Sequence, residues 1–257
     1  DSDPNAYCLY FDTESAITKS LLEDRGIDTS RFVVLNVVTI EQFRSKALKA
    51  VDIYLKTKTE DRKPCMFVLD SLGMLSTEKE INDALEDKQV RDMTKSQLVK
   101  GAFRMLTLKL GQANIPMIVT NHTYDVIGAY VPTKEMGGGS GLKYASSTII
   151  YLTKKKEKDG KDVIGNIVKA KAAKSRLTKE NAQVETRLFY DRGLDRYYGL
   201  LELGEKYGIF ERKGNRIVVG SSSVYPKQIL ENPEKYFTPE IMQALDECAA
   251  KEFRYGN

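Results

Sequence analysis

The segment Cys65-Met66-Phe67-Val68-Leu69 is an apolar run that ends in the polar pair Asp70-Ser71. Two other runs have the same form, since residues 7–11 lead into Asp12-Thr13-Glu14 and residues 115–120 lead into Asn121-His122. Short, continuous apolar runs are typical of strands buried on both faces of a parallel sheet. Ligands bind such sheets at the carboxyl ends of the strands. The sequence therefore predicts that Glu14, Asp70 and His122, the only histidine of the chain, meet at one edge of a sheet.

Helix signals alternate with these runs in the first half of the chain. We predict helices at about 18–25, 39–56 and 94–113, and a further strand at 31–38. Thr39 with Gln42 and Thr94 with Gln97 have the spacing of capping boxes, which mark helix starts. Residues 147–153, 163–170 and 184–190 read as antiparallel strands, and a helix, a hairpin and two helices follow from about Tyr197. The predicted class is α/β, a parallel sheet with an antiparallel extension and a small C-terminal helix and hairpin unit.

Two stretches are predicted to lack regular structure. Residues 76–93 are polar and charged, so we expect a loop with at most one or two helical turns. Residues 125–141 end in Met136-Gly137-Gly138-Gly139-Ser140-Gly141. So many glycines carry a large backbone entropy that opposes a regular element. We therefore predict a long mobile loop, and long loops in compact domains are usually functional.

The composition indicates a full apolar core beneath a heavily solvated surface, because 41% of the 257 residues are hydrophobic and 30% are charged. No apolar run approaches the roughly 18–20 residues that span a bilayer, which argues against a membrane partner. The net charge of +4 is mild, but residues 154–179 hold ten Lys or Arg against three acidic residues. This basic stretch is either a solvated hairpin or a surface that faces phosphates.

The phosphate loop of a nucleotide site, GxxxxGK(S/T), does not occur in the sequence, and Gly160-Lys161 lies in a charged turn without the rest of that pattern. On the usual order of strand, loop, helix and next strand, we expect such a loop to precede Asp1. It was removed, lies on another polypeptide, or never existed, and the sequence leaves these three explanations open. We expect the chain alone to hydrolyse ATP negligibly.

Five segments carry a family resemblance, namely Phe11-Asp12-Thr13-Glu14, Leu69-Asp70-Ser71, Thr120-Asn121-His122-Thr123-Tyr124, Met136-Gly137-Gly138-Gly139-Ser140-Gly141 and Lys174-Ser175-Arg176. Together they resemble, in order and spacing, the RecA-type recombinases, and most closely the tailed-phage UvsX recombinases. Each segment alone is a weak signal, but five in register are a strong one. The resemblance implies a RecA-like P-loop ATPase core at residues 1–196, without its phosphate-loop segment, and a small C-terminal subdomain at 197–257.

The resemblance implies a DNA-dependent ATPase of the recombinase type, with ATP and Mg²⁺ as cofactors. Asp70 would hold the magnesium ion, since a hard cation that bridges phosphates needs a carboxylate. Glu14 would orient and deprotonate the attacking water, and His122 would sense the γ-phosphate. The structural alternatives are a turn cap for Asp70, a helix start for Glu14 and a strand-end hydrogen-bond network for His122. The expected cofactor-binding residues are Asp70, Ser71 and Asn121.

Lys174 and Arg176 alternate with Ser175, so on an extended segment both point the same way. The resemblance implies that they reach across a filament interface to the neighbour's γ-phosphate, as arginine fingers do. The structural alternative is surface charge on an edge strand.

The two predicted loops, about 82–93 and 125–141, are the candidates for DNA contact. Basic side chains and backbone amides would meet phosphates without reading sequence, and apolar side chains would pack against bases. The apolar residues could instead form a small cluster that anchors the loop. The DNA-binding candidates are Arg91, Val126, Ile127, Tyr130, Lys134, Gly137, Gly138, Gly139 and Lys143.

We therefore expect the core of an ATP-dependent recombinase that binds single-stranded DNA in a helical filament and promotes homologous pairing and strand exchange. Its partners would be single-stranded and double-stranded DNA, further copies of itself, recombination mediators and single-strand-binding proteins, in the cytoplasm of an infected bacterial host. Two alternatives stay open. One is an ATPase-deficient RecA-like DNA-binding or mediator module, or half of a split recombinase. The other is a hexameric RecA-fold helicase.

Overall fold

The computed structural model describes residues 3–88, 93–125, 134–219 and 222–255 of the chain. They form two compact units, Asp1–Ser146 and Ser147–Asn257. The sequence-based boundary at residues 196 and 197 is a different division, and it stays a prediction. In the part of the chain that the structure describes, no helix has both the length and the apolar character needed to cross a membrane.

The first unit is built on a parallel sheet of four strands in the order β2-β1-β3-β4, which confirms the predicted α/β class. Phe11 of β1 pairs with Leu69 of β3, and Leu69 pairs with Val119 of β4, so the strands end level with one another. The strands of the first unit are β1 (Tyr7–Asp12), β2 (Phe32–Asn36), β3 (Cys65–Asp70), β4 (Met117–Val119), β5 (Thr123–Asp125) and β6 (Lys134–Met136). Its helices are α1 (Lys19–Asp24), α2 (Ile40–Lys56), α3 (Glu78–Leu85), α4 (Lys95–Ala113) and α5 (Gly139–Ala145).

Helices α2 and α4 bury their apolar stripes in the same core as the inward residues of the sheet, as the helical spacing predicted. Phe43 of α2 meets Phe11 of β1 edge to face, with ring centroids 5.1 Å apart, and also contacts Phe103 of α4. Thr39 caps α2, because its side chain accepts a hydrogen bond from the backbone N–H of Gln42 at 3.1 Å. This packing anchors β1 and β3 and so holds the residues that follow them at one edge.

Residues 76–93 were predicted to form a loop with at most one or two helical turns, and the structure places a helix of eight residues, about two turns, in the first half of this segment. Helix α3 runs from Glu78 to Leu85 and includes Asn82, where the first DNA-contact loop was placed. Thr77 and Glu80 form a capping box that supplies acceptors for two otherwise unpaired backbone donors. Two hydrogen bonds at the N-terminus therefore start this helix. Residues 89–92 lie outside the described residues, and Arg91 is one of them.

Residues 125–141 were predicted to form one long loop, and the described part contradicts this. Strand β6 pairs antiparallel with β5, with Thr123 opposite Met136, and the glycine run leads directly into helix α5. Gly138 and Gly139 have φ of 89° and 70°, which glycine adopts without strain. A Cβ added to Gly141 would lie 2.6 Å from Cβ and 2.8 Å from Cα of Lys100 on α4. The turn therefore accounts for Gly138 and Gly139, and the close contact with α4 accounts for Gly141.

Gly141→Ala is expected to lower the free energy of unfolding by about 1–3 kcal/mol, the usual cost of overpacking. The added methyl group would overlap the backbone of α4 and push α5 away from it. Gly101→Ala is the matched control, because a Cβ at that position of α4 meets open space. The control should raise stability by up to about 1 kcal/mol through helix propensity. Urea unfolding of both variants measures the difference, and equal effects would contradict the close contact.

The second unit contains an antiparallel sheet in the order β10-β9-β8-β7, as predicted for residues after 147, although its strands extend further than expected. The register of β7 against β8 shifts between Ile149 and Ile150, next to Lys174. The strands of this sheet are β7 (Thr148–Asp159), β8 (Asp162–Ser175), β9 (Gln183–Phe189) and β10 (Gly193–Leu194).

The residues after Tyr197 have an apolar core of their own, in which Phe210 and Phe237 meet edge to face with centroids 5.7 Å apart. The predicted hairpin turns at Gly214, but it carries a third strand that was not predicted. The elements are α6 (Leu200–Lys206), β11 (Glu211–Lys213), β12 (Arg216–Val219), β13 (Ser222–Val224), α7 (Pro226–Glu231), α8 (Pro233–Tyr236) and α9 (Pro239–Phe253).

Candidate active site

The carboxyl ends of β1, β3 and β4 are joined by backbone hydrogen bonds beyond the last paired residues. The N–H of Thr13 donates to the carbonyl of Asp70 at 3.0 Å, and the N–H of Leu72 donates to the carbonyl of Thr120 at 3.0 Å. The three segments that follow the strands therefore lie side by side. This brings together the strand ends that carry Glu14, Asp70 and His122, which the sequence assigned to one edge.

Ser71 lies between Glu14 and His122. Its hydroxyl donates to Oε1 of Glu14 at 3.3 Å and lies 3.4 Å from Nε2 of His122. Ser71 is only 3% exposed, whereas Glu14 and His122 are both exposed. A buried hydroxyl thus connects a carboxylate and an imidazole that solvent or a ligand can reach.

The carboxylate of Asp70 is oriented by two hydroxyl groups. Tyr10 donates to Oδ2 and Thr120 donates to Oδ1. Burial, and the hydrogen bond to Asp70, raise the pKa of Tyr10 above its usual value, so its phenol remains a donor. Each carboxylate oxygen has a second lone pair, so Asp70 can also accept a hydrogen bond from a metal-bound water. The carboxylate oxygens of Asp70 are therefore suited to hold a magnesium ion through a bound water.

Thr13 holds the β3 end against the β1 end. Its Oγ1 lies 3.0 Å from the carbonyl oxygens of both Asp70 and Ser71 and accepts a hydrogen bond from the N–H of Ser71 at 2.8 Å. Because Thr13 directly precedes Glu14, this contact fixes the distance between the segment that follows β1 and the segment that follows β3. The position of the candidate base is thereby tied to that of the candidate metal ligand.

Asn121 and His122 connect the site to the segment before α5. The side-chain amide of Asn121 donates to the carbonyl of Gly137 at 2.8 Å, and its oxygen accepts the N–H of His122 at 2.9 Å. The N–H of Gly137 donates to the carbonyl of His122 at 3.2 Å. A Cβ added to Gly73 would lie 2.7 Å from Cδ2 of His122, so the ring lies directly against that glycine. The histidine cannot shift without disturbing these neighbours.

The predicted finger residues lie in the second unit. Lys174 is half-buried in β8, Ser175 is buried, and Arg176 is exposed just after the strand, where its N–H donates to the carbonyl of Ser147 at 3.1 Å. The hydroxyl of Ser175 accepts the N–H groups of Leu177 and Thr178, at 3.2 Å and 3.0 Å. Ser175 therefore anchors the chain inside. Arg176 lies in a bend beyond the strand, so the expectation that Lys174 and Arg176 point the same way stays a prediction.

The predicted DNA-binding residues are only partly described. Arg91, Val126, Ile127 and Tyr130 lie outside the described residues. Lys134 belongs to β6, and Gly137 and Gly138 form the turn that leads into α5, which begins at Gly139 and carries Lys143 as an exposed side chain. Their assignment to DNA stays a prediction.

Sequence reasoning missed the residues that orient the site, namely Tyr10, Thr13, Gly73 and Thr120. Tyr10 has the appearance of an ordinary strand residue, and the partner of its hydroxyl is 60 positions away. Thr120 and Thr13 carried a weak signal, since each is a hydroxyl residue where an apolar run ends. In the described residues no group of three or more His, Cys, Asp or Glu side chains is arranged to hold a metal ion.

The chain has recognisable relatives. Residues 2–195 match the family model described as RecA N-terminal domain. The chain is 34% identical over 212 residues to the recombination and repair protein of Enterobacteria phage T4, with 82% of this chain and 53% of that protein covered. It is 26% identical over 251 residues to Protein RecA of Paenarthrobacter aurescens, covering 96% of this chain and 69% of that one. It is 29% identical over 208 residues to Protein RecA of Thermotoga neapolitana, covering 80% and 56%.

The chain spans about half the length of the phage relative. The family match nevertheless extends over most of the sequence and includes the three strand ends and the segment with Lys174 and Arg176. The order of motifs, the parallel sheet and the polar groups at its carboxyl edge all agree with that match. The protein therefore belongs to the RecA family.

Proposed function

We propose that this protein is the core of an ATP-dependent DNA recombinase that binds single-stranded DNA in a helical filament and promotes homologous pairing and strand exchange. One observation carries the proposal. A hydrogen-bonded path leads from Glu14 through Ser71 and His122 to Asn121 and Gly137. It links a carboxylate suited to hydrolysis with the glycine segment suited to DNA contact. The phage relative, which is a recombination and repair protein by name, supports the same function.

In this proposal Glu14 orients the attacking water, because phosphoryl transfer depends more on positioning than on strong basicity. Asp70 would hold a magnesium ion, which neutralises phosphate charge when bound. Ser71 keeps Glu14 in place with a hydrogen bond of 3.3 Å and is itself anchored through its N–H by Thr13. The orientation of Asp70 depends on the hydroxyl groups of Tyr10 and Thr120.

His122 would connect the nucleotide to the DNA-contacting segment. Its imidazole is exposed beside Ser71, and its backbone exchanges hydrogen bonds with Asn121 and Gly137. A phosphate oxygen that forms a hydrogen bond with the imidazole and shifts the ring would also displace the backbone of His122. That displacement would reach Gly137, which lies between β6 and the start of α5.

DNA binding should be nearly independent of base sequence and strongly dependent on salt, because the candidate contacts are lysines and backbone amides. Replacing Lys134 and Lys143 with Ala should reduce the slope of log affinity against log salt by about 1 per lysine. Lys49→Ala on α2, where the side chain is exposed, is the control for a simple change in net charge. Fluorescence anisotropy with single-stranded oligonucleotides at several salt concentrations gives the slopes. Sequence preference, or equal slopes in the control and the double variant, would contradict the proposal.

A further inference from the structure

We propose that Asp12 is a positioning residue, whose buried carboxylate holds the turn at residues 13–17 and thereby fixes the direction of Glu14. The inference rests on the proposed role of Glu14 in orienting the attacking water. Asp12 is the last residue of β1, where it pairs with Asp70 of β3 and Asn36 of β2. Asp12 therefore stands at the same sheet edge as Asp70, the candidate metal ligand, but its side chain binds different groups.

The carboxylate of Asp12 is directed at backbone donors of the turn. Oδ1 accepts the N–H of Glu14 at 3.0 Å, and Oδ2 accepts the N–H of Ile17 at 3.3 Å. Asp12 is only 3% exposed, so water cannot readily take the place of either donor. A buried carboxylate is costly unless it is hydrogen-bonded, and here both oxygens are bonded. This arrangement makes Asp12 a structural clamp on the turn and leaves it poorly placed to meet substrate.

The turn needs such a clamp. Ser15 has φ of 53°, in the left-handed region that residues other than glycine rarely adopt. Strained backbone of this kind persists only where the surrounding structure holds it, and it is often found at functional sites. Asp12 binds the chain on both sides of Ser15, at Glu14 and at Ile17. The two hydrogen bonds therefore stabilise the turn and offset the strain in the backbone of Ser15.

The position of the Glu14 side chain depends on the backbone of the turn. The side chain is exposed, and it accepts a hydrogen bond from the Ser71 hydroxyl at 3.3 Å. A long exposed carboxylate would otherwise sample many rotamers and leave the position a water molecule needs. Thr13 fixes the start of the turn against β3, and Asp12 fixes the amide of Glu14 itself. A displacement of about 1 Å at a reacting group can cost on the order of 10²-fold in rate.

Asp12→Asn is the informative change, because an amide has nearly the same shape but only one acceptor oxygen. One of the two backbone N–H groups would face the new NH₂ group, which cannot accept. In the 257-residue chain, amide exchange measured by NMR should become about tenfold faster at Glu14 or Ile17. Asp28→Asn is the matched control, since Asp28 accepts the N–H of Ser30 at 3.0 Å before β2, at the opposite edge of the sheet. The control keeps the oxygen that accepts the N–H of Ser30, and it should leave exchange at Glu14 and Ile17 unchanged.

The second measurement is ATP turnover in a protein extended upstream to include a phosphate loop. Asp12→Asn should lower kcat by about 10- to 100-fold with little change in KM, and it should add no further loss in a Glu14→Gln background. Asp12→Ser, which keeps one hydroxyl acceptor, serves as a second variant if the Asn protein does not fold. Unchanged exchange at both amides, unchanged kcat, or a fully additive loss with Glu14→Gln would overturn the inference. If Glu14→Gln alone leaves turnover intact, the proposed function of Glu14 fails instead, and that result is seen without any change at Asp12.

Discussion

Arg176→Ala is expected to lower DNA-stimulated ATP turnover by on the order of 10³-fold in filaments of a protein that includes a phosphate loop, which is the usual cost of losing an arginine finger. Arg176 is exposed just after β8, on a segment anchored by the buried Ser175. An exposed side chain is what the proposed role of Arg176 in a neighbouring subunit's site requires. Arg192→Ala is the control, since Arg192 lies over the ring of Phe189 in the same sheet, and its loss should leave turnover nearly unchanged.

Mixing distinguishes a finger that acts in the neighbouring subunit from one that acts in its own. Filaments that combine Arg176→Ala subunits with Glu14→Gln subunits would contain some interfaces where both Arg176 and Glu14 are intact. Those interfaces should restore part of the turnover, which is easily seen against a loss of on the order of 10³-fold. No recovery in filaments shown by microscopy to be mixed would mean that Arg176 works within its own subunit or has no part in hydrolysis.

Glu14→Gln in the same extended protein should retain nucleotide binding and lose roughly 10²-fold or more in hydrolysis, the scale of a positioned general base. Glutamine can still accept the hydrogen bond from Ser71, so the local structure should persist, but it can neither take a proton nor supply a negative charge. Glu23→Gln on α1, an exposed carboxylate 3.4 Å from Lys19, is the control for a simple loss of charge.

Nucleotide binding by calorimetry and single-turnover hydrolysis separate the two possible roles of Glu14. Retained binding with lost hydrolysis supports a role in orienting water. If binding fails together with turnover, Glu14 is instead a structural residue of the turn that Asp12 holds.

The helix starts show how far local signals reach. The spacing of Thr39 and Gln42 predicted the start of α2, and the structure places the cap there. The capping box of Thr77 and Glu80 has the same kind of spacing, but the charged composition of its surroundings led to the prediction of a loop. Capping acts over three or four residues, so the sequence contains the information for both helices. Composition was given more weight than the cap, so the helix start at Thr77 was not assigned.

The glycine segment shows where local signals end. Entropy opposes regular structure at consecutive glycines, yet Gly139–Ala145 is helical. The reason lies on another element, because Lys100 of α4 leaves no room for a side chain at Gly141. A glycine that is required by a distant neighbour cannot be told from a flexible one by its sequence context alone.

The sequence by itself determined the parallel sheet, the helices α2 and α4, and the edge at which Glu14, Asp70 and His122 stand. Apolar runs and strand-end polar residues are local patterns, and a parallel sheet places the carboxyl ends of its strands together. Only the tertiary structure decided that Ser71 joins Glu14 to His122 and that Tyr10 and Thr120 orient Asp70. These contacts connect residues 50 to 60 positions apart. They depend on strand register to within a single residue, because a shift by one would turn each side chain to the opposite face.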